Sequence, residues 1–421
     1  MKLMNVLLVN PPIYDFTAYD FWLRPYGMLR VAGQMSHSCQ LSYFNFMVSK
    51  QRDEWGRGRY EYREIPKPKP LKDIPRRFRR FGRPRAEFRE FLKGQSYDTV
   101  LIQTSMTYWY LGVQEAVEDI RQMLPRAKIV LGGIYATLCS PHAQSIEADL
   151  VIRGAELEPL WKLISVKPQK GVPHQPFEST NTGVIKITEG CPFRCTYCSA
   201  PLLWPEFIMR PTADCLDELV RLIEAGSRNI AFYDDALLYR ADQNLVPFLK
   251  GVICMNAPVL FHTPNGLNAR FITPDLAQLM AQAGFTCFFL GLESGDSSWQ
   301  RMTGGKVDKE EFAVAVRHLR DAGARHITTY VMVGHPDSDA QSVEASIRFA
   351  HQCGTRVLLS EFSPIPNTAD GGKCEKWANL EEPLEHNKTA FAIRRLGPDQ
   401  LNELKKLNRS LNADIRYAPP P

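Results

Sequence analysis

The sequence predicts an α/β protein with a Rossmann-like domain, a partial (β/α)6 barrel and a C-terminal helical tail. Through most of the 421 residues, short β-branched runs alternate with helical stretches, which is typical of parallel sheets with crossover helices. A stretch rich in Pro, His, Gln and Thr at residues 166–182 interrupts this alternation and is typical of a linker. The alternation ends after residue 370, so we expect residues 371–421 to form a helical extension.

The first domain, residues 1–165, is expected to be doubly wound. Its predicted strands are 5–10, 41–47, 99–103, 128–131 and 150–153, and its predicted helices are 26–35, 113–124 and 156–164. Ligands of such sheets bind at the carboxyl ends of the strands. The residues at or just after those ends are Pro11, Thr104, Ser105, Gly132, Gly133 and Gly154. Because glycine lets a bulky ligand approach the backbone, this is the predicted binding edge.

The second domain, residues 183–370, is expected to be the partial barrel. Its predicted strands, each followed by a helix, are 184–188, 229–233, 259–263, 286–290, 326–333 and 356–362. Chemistry in such barrels lies at the carboxyl ends of the strands. In the tail, a predicted helix at 398–412 carries leucines on one face, which predicts a packing element or a lid.

Composition limits the class of protein. With 44% hydrophobic and 23% charged residues, the chain resembles globular proteins and not disordered or disulfide-rich ones. Apolar runs fall short of the roughly 18 residues that a membrane helix needs. We therefore expect a cytoplasmic protein with no membrane contact.

Positive charge is concentrated in one segment, which we interpret as an insertion at residues 50–95. Between Lys50 and Lys93 there are 16 Lys and Arg residues against 7 Asp and Glu residues. Because aromatic residues are interleaved with the basic ones, the segment could bind a nucleic acid or another acidic partner. The alternative, which we favour, is a solvated excursion that its aromatic residues fix to the body of the domain.

Three of the ten cysteines are clustered. Cys191, Cys195 and Cys198 lie in a Gly- and Pro-containing loop after the first barrel strand. Three thiols cannot complete a tetrahedral zinc site without a distant fourth ligand. They suit a cubane iron–sulfur cluster better, because three thiolates leave one iron open to a substrate or cofactor.

The Cys-x3-Cys-x2-Cys loop, with Tyr197 before its last cysteine, resembles the radical SAM superfamily. The resemblance implies that Cys191, Cys195 and Cys198 hold a [4Fe–4S] cluster whose open iron binds S-adenosylmethionine (SAM). It also implies that an electron from an external reductant leads to cleavage of SAM to a 5'-deoxyadenosyl radical.

Later segments are similar to the same superfamily at successive strand ends. The resemblance implies that the SAM-binding residues are Tyr197, Asp234, Asp235, Glu293, Ser294, Gly334 and Pro364. Asp235 and Glu293 could instead be ordinary helix N-caps or carboxylates on the barrel rim. The sequence assigns no catalytic acid or base.

The first domain resembles the cobalamin-binding domain of cobalamin-dependent radical SAM enzymes. Val9-Asn10-Pro11-Pro12 opens it, and Gly132-Gly133 follows its fourth strand. The resemblance implies a cobalamin-binding-type fold with cobalamin bound by Pro11, Thr104, Ser105, Gly132, Gly133 and Gly154. The alternative is a degenerate domain that only supports the barrel or recruits substrate.

The resemblance implies a methyltransferase that acts on an unactivated carbon, or on a phosphorus centre, of a small-molecule or peptide substrate. One alternative is a cobalamin-free radical SAM enzyme that performs cyclisation, rearrangement or RNA modification. Another is a nucleic-acid-binding protein with a structural cluster. A methylthiotransferase is disfavoured, because the first domain carries only Cys39 and Cys139, whereas such enzymes have three further cysteines there.

Overall fold

The computed structural model describes residues 3–169 and 181–415 of the chain. They form two compact units: the first contains the described residues up to 169 together with Asn379–Asn387, and the second contains the remainder. Residues 170–180, which make up most of the predicted linker, lie outside the described residues.

The first unit has a parallel sheet as its centre. Its strands are β1 (Met4–Asn10), β2 (Ile13–Asp15), β3 (Cys39–Asn45), β4 (Ser49–Arg52), β5 (Gly58–Tyr60), β6 (Tyr62–Ile65), β7 (Phe78–Phe81), β8 (Thr99–Thr104), β9 (Lys128–Gly133) and β10 (Leu150–Val151). Its helices are α1 (Tyr26–Met35), α2 (Arg85–Leu92), α3 (Tyr110–Met123), α4 (Ile134–Leu138), α5 (Ser140–Gln144) and α6 (Glu158–Ile164), with 3-10 turns at Lys69–Leu71, Thr107–Trp109 and Pro383–His386.

The central sheet has the strand order β10-β9-β8-β1-β3, and its strands are parallel. Four consecutive residues of β1, from Val6 to Val9, are fully buried, because helices cover both faces of the sheet. Trp161 of α6 and Met28 of α1 pack on this core. The predicted doubly wound, Rossmann-like architecture is confirmed.

The predicted insertion is built into the first unit. β6 and β7 join the preceding β2 in a three-stranded antiparallel sheet, and β4 pairs with β5. Arg80 of β7, only 2% exposed, forms an ion pair with the buried Glu115 of α3 at 2.6 Å. The Phe88 ring of α2 lies 4.8 Å from that of Phe44 and 5.0 Å from that of Phe46. Both aromatic packing and buried charge therefore anchor the segment.

The second unit is the partial barrel. Its strands are β11 (Thr182–Ile185), β12 (Thr188–Glu189), β13 (Ile208–Met209), β14 (Asn229–Phe232), β15 (Leu260–His262), β16 (Phe285–Glu293), β17 (His326–Val333) and β18 (Arg356–Glu361). Its helices are α7 (Ala200–Leu203), α8 (Thr212–Glu224), α9 (Leu245–Cys254), α10 (Pro274–Gln282), α11 (Ser297–Met302), α12 (Lys309–Asp321), α13 (Ala340–Gln352), α14 (Ala369–Gly372), α15 (Lys388–Leu396) and α16 (Pro398–Asp414), with a 3-10 turn at Ala269–Phe271.

Six strands of this unit form one parallel sheet in the order β11-β14-β15-β16-β17-β18. Helices between consecutive strands start at recognisable signals: Asp308 and Asp339 make capping boxes at α12 and α13. The predicted (β/α)6 partial barrel is confirmed. Two strand ends of this unit differ by three residues from the prediction. The first barrel strand ends at Ile185 and not at residue 188, because Thr188 pairs in β12 with β13, and β16 continues past the predicted residue 290 to Glu293 through a bulge against β17.

The predicted tail, residues 371–421, is not one structural piece. Asn379–Asn387 belongs to the first unit, because its polar side chains bond there. The His386 ring lies 3.0 Å from Thr107 Oγ1 and 2.9 Å from the Leu380 carbonyl. Asn387 donates to Asp15 Oδ1 at 2.8 Å. The leucine face of α16 packs against its surroundings, since Leu401 and Leu404 are buried, which agrees with the first of the two predicted alternatives, a packing element or a lid.

The described helices are all too short or too polar to cross a bilayer.

Candidate functional site

The cysteine loop begins at Gly190, a position where any residue other than glycine would be strained. Gly190 has φ +72°, and a Cβ on it would lie 2.2 Å from the Glu206 carbonyl oxygen. The close approach occurs because β12 pairs with β13 on the far side of the loop. The chain is thereby turned from the barrel strands into the cysteine loop.

The three thiols of this loop are partly exposed and electrostatically close to one another. Ala200 donates its N–H to Cys198 Sγ at 3.4 Å. The Tyr197 side chain forms a hydrogen bond with the Cys195 side chain, and the Phe193 backbone amide forms one with the Cys191 side chain. Burial raises the pKa of all three thiols, that of Cys198 to about 11, so positive charge must replace the protons if thiolates are to form. Three soft ligands with N–H donors around them fit an iron–sulfur cluster.

The two predicted aspartates differ in environment. Asp234 is buried, and its Oδ1 accepts bonds from the amides of Ile187 and Thr188 at 3.0 and 2.6 Å and from Thr188 Oγ1 at 2.7 Å. Its Oδ2 is buried with no hydrogen-bond partner among the described residues. Asp235 is exposed and lies 3.3 Å from Lys186 Nζ. Both carboxylates therefore have an oxygen that could accept a bond from a ligand amine.

Glu293 lies at a strained strand end. Its φ is +62°, and it follows a bulge that begins at Gly291. Its Oε1 is 2.8 Å from Lys306 Nζ, and a Cβ on Gly291 would lie 2.2 Å from the same nitrogen. Ser294 ends the turn, with its Oγ accepting the Asp296 amide at 3.1 Å. Glu293 and Ser294 line a narrow crevice together with Trp299.

A buried network connects the cysteine loop with the ends of β17 and β18. Asp370 Oδ2 accepts from Thr196 Oγ1 at 2.5 Å and lies 3.0 Å from His335 Nε2. His335 Nδ1 accepts the Trp299 indole N–H at 3.1 Å, so the ring proton lies on Nε2. The Trp299 ring stacks 5.7 Å from that of Tyr197. The two residues between the second and third cysteines are thus both held by this network, Thr196 by Asp370 and Tyr197 by Trp299.

The carboxylates in this network do not form a metal site. His335, Asp337 and Asp370 converge in the manner of metal ligands. The Lys373 ammonium, however, lies 2.5 Å from Asp337 and 2.7 Å from Asp370. Burial favours the neutral form of Asp370, but bonds from His335, Lys373 and Thr196 hold its pKa well below the usual range. The lysine occupies the place that a cation would take.

The two remaining predicted SAM residues shape the barrel rim. Gly334 has φ +84°, and a Cβ on it would lie 3.0 Å from Ala392 Cα of α15. Pro364 is buried just after β18. The sequence did not indicate Lys306, Trp299 or Asp370, because their contacts join segments far apart in the chain.

The predicted cobalamin-binding residues lie along the carboxyl edge of the sheet in the first unit. Pro11 and Thr104 are buried, whereas Ser105, Gly132, Gly133 and Gly154 are partly exposed. A Cβ on Gly133 would lie 2.1 Å from the Thr104 carbonyl oxygen, so β8 and β9 can end side by side only with glycine there.

Part of this edge is free of neighbouring side chains. A Cβ on Gly132 would meet only Ile152, at 3.8 Å, so the space in front of it is open. Tyr135, the bulky neighbour of the glycines, is completely buried and stacks 5.9 Å from Tyr110. Its hydroxyl lies 2.6 Å from His142 Nδ1. The tyrosine belongs to the core, and the exposed rim of small residues fits a bulky planar cofactor.

The comparison with known families bears on the barrel unit. Residues 185–350 match the model of the radical SAM superfamily, and this range includes the cysteine loop and β14 to β17. The chain contains a radical SAM domain.

Curated relatives of the radical SAM domain are distant. Threonylcarbamoyladenosine tRNA methylthiotransferase MtaB of Chlamydia pneumoniae is 23% identical over 262 residues, which cover 57% of this chain and 59% of that protein. Ribosomal protein uS12 methylthiotransferase RimO of Bacteroides fragilis is 23% identical over 230 residues, 50% of this chain and 53% of that protein. The chain spans just over half the length of these relatives.

Solved structures match the radical SAM domain and the first unit together. The methyltransferase TsrM from Kitasatospora setae, with cobalamin and a [4Fe–4S] cluster bound, has a TM-score of 0.69 at 15% identity, covering 96% of this chain and 91% of that one. The cobalamin-dependent radical enzyme OxsB has a TM-score of 0.58 at 12% identity, covering 99% and 62%. At such identities the likeness shows the fold, and the predicted fold class is confirmed.

Proposed function

We propose that this protein is a cobalamin-dependent radical SAM methyltransferase that acts on an unactivated carbon of a small-molecule or peptide substrate. The observation that carries the proposal is the combination, in one chain, of a three-thiol loop in a radical SAM domain with an open glycine rim on a Rossmann-like sheet. When bound, a [4Fe–4S] cluster with SAM would supply a 5'-deoxyadenosyl radical and cobalamin would supply a methyl group.

The proposed cluster ligands are Cys191, Cys195 and Cys198. Hydrogen bonds from Ala200 and Tyr197 to the sulfurs orient two of them and stabilise their thiolate forms. No fourth cysteine follows within the loop, so one iron would remain available to SAM.

The proposed SAM site uses carboxylates on both sides of this loop. Asp235 and Glu293 lie within electrostatic range of the cysteines and can accept hydrogen bonds from an amino group. Asp234, through its buried Oδ2, can add one more acceptor. The remaining residues of the proposed site are Tyr197, Ser294, Gly334 and Pro364.

The proposed cobalamin site is the rim formed by Ser105, Gly132, Gly133 and Gly154. Thr104 supports this rim, since its hydroxyl accepts the Ala136 amide at 3.1 Å. Pro11, buried directly after β1, completes the set.

Methylthiotransferase activity is the second candidate, and the sequence likeness to MtaB and RimO favours it. The thiols of the first unit count against it. Cys39 and Cys139 are 5% and 7% exposed and lie in the apolar core, so they offer no second thiolate set on a surface.

The test is anaerobic reconstitution with iron, sulfide and hydroxocobalamin, followed by counting the metals per chain. We expect about four Fe and about one Co, and the triple variant Cys191→Ala, Cys195→Ala, Cys198→Ala should lose the iron and keep the cobalt. Iron without cobalt would leave a cobalamin-free radical SAM enzyme. A wild-type chain without iron would refute the proposal.

A further inference from the structure

One ion pair near the cysteines depends on an unusual local backbone conformation. Lys306 and Glu293 meet at 2.8 Å, with side chains 19% and 10% exposed. Three local features make this contact possible: the bulge in β16, the left-handed backbone of Glu293, and the absence of a side chain at Gly291. A non-glycine residue with positive φ costs stability and persists only where its surroundings enforce it.

The lysine belongs to a segment that packs on the cysteine loop. The Thr196 amide donates to the Thr303 carbonyl at 3.2 Å. A Cβ on Gly304 would lie 3.1 Å from Cys195 Cα. Lys306 follows two residues later, and its ammonium interacts electrostatically with Cys191, Cys195 and Cys198.

A fixed charge in this position acts on electron transfer. One-electron reduction of a [4Fe–4S] cluster by an external low-potential donor adds one negative charge to the cluster and breaks no bond. A nearby ammonium stabilises the reduced form more than the oxidised form, and burial limits screening by salt.

We propose that Lys306 sets the reduction potential of the cluster by stabilising its reduced state, and that Glu293 limits this effect by offsetting part of the positive charge. The inference rests on the proposed function, because it requires the cluster. A second lysine near the cysteine loop, Lys186, is placed differently, since Asp235 and Glu189 lie 3.3 and 3.4 Å from its Nζ. Two carboxylates there outweigh the single positive charge of Lys186, whereas Lys306 is paired with one carboxylate.

The test is a redox titration of the reconstituted cluster, monitored by electron paramagnetic resonance in the absence of SAM. Lys306→Met should shift the midpoint potential to more negative values. At an effective dielectric of about 20 and a separation of roughly 10 Å, a unit charge changes the ratio of reduced to oxidised cluster about tenfold. For a one-electron couple this is about 59 mV.

The sign of the shift in midpoint potential distinguishes an effect of charge from an effect of a damaged structure. Lys306→Arg should keep the wild-type potential, and Glu293→Gln should shift it to more positive values, whereas general damage to the fold would not give opposite signs. Lys405→Met removes a comparable lysine, paired with Glu361 at 2.5 Å, and should leave the potential unchanged.

Two failures can be told apart. A wild-type chain that binds no iron contradicts the proposed function itself. Full iron content in Lys306→Met with an unchanged potential overturns this inference alone. If Lys306→Met does not assemble a cluster, Glu293→Gln decides, and an unchanged or more negative potential in that variant also overturns the inference.

Discussion

Asp234 is a buried carboxyl group that ties the backbone of Ile187 and Thr188 to the end of β14. Burial raises its pKa to about 7, although bonds from Thr188 and Ile187 and the charge of Lys186 favour the ionised form. Asp234 therefore fixes the position of the strand that leads into the cysteine loop through Oδ1, while its Oδ2 has no hydrogen-bond partner among the described residues.

The raised pKa of Asp234 makes stability depend on pH. An unfolded aspartate has a pKa of about 3.9, so the folded state binds the proton more tightly. This contribution is fully present below about pH 4 and is lost as the pH rises through about 7. We expect the thermal midpoint of the wild type, relative to that of Asp234→Asn, to decrease as the pH is raised from about 4 to about 7. Thermal melts of the metal-free protein measure it, and a difference independent of pH would contradict it.

At the scale of elements, long parallel strands were predictable and short antiparallel ones were not. β1 and β16 are buried runs of apolar residues, which is the pattern of a sheet covered on both faces. β2 and β7 have three and four residues, and β7 carries Arg79 and Arg80, so no hydrophobic alternation marked them. Their stability comes from a partner on α3 that no local pattern reveals.

The residues of the candidate site likewise include some that the sequence could predict and some that it could not. The cysteines were predictable because their spacing alone is specific, and the strand-end residues because parallel strands end at a common edge. Asp370 was not, since its bond to Thr196 joins residues 174 positions apart. Lys306 was not predictable either. Its ion pair with Glu293 depends on the backbone conformation of Glu293 and not on the residues beside Lys306 in the sequence.

The network under the cysteine loop should be sensitive to loss of one charge. Asp370→Asn keeps the size of the side chain but weakens the bonds from Thr196 and Lys373, which should destabilise the protein by about 2 kcal/mol. Asp337→Asn is the matched control, because this exposed carboxylate pairs only with Lys373 among the described ion pairs. Its effect should stay below about 0.5 kcal/mol. Denaturant unfolding of both metal-free variants provides the measurement, and equal effects would show that the network does not hold the loop.

For the whole molecule, the uneven charge has a structural explanation. The basic segment faces an acidic side of α3, where Arg85 and Arg89 share the buried Asp119 at 2.8 and 2.7 Å and Arg80 pairs with Glu115. Part of the local positive excess is therefore matched inside the first unit. Charge that is paired internally contributes less to recognition of an acidic partner.

This arrangement predicts that arginines close together in sequence differ in effect. Arg80→Met leaves the buried Glu115 without its cationic partner and should destabilise the protein by about 3–5 kcal/mol. Arg77→Met removes a residue whose side chain is 75% exposed, and the melting curve should not change. Thermal melts compare the two variants. If the nucleic-acid alternative holds, Arg77→Met should instead weaken a salt-sensitive association with RNA, measured by filter binding.

The chain passes from the first unit into the barrel, returns for Asn379–Asn387, and then completes the barrel with α15 and α16. Neither unit is therefore a contiguous stretch of gene. A fragment ending near residue 169 would lack His386 and Asn387, which bond to Thr107 and Asp15. Exchange of the first unit between proteins of this architecture would require two separate segments to be replaced together, and cleavage of the chain after residue 169 would leave Asn379–Asn387 covalently attached to the second unit.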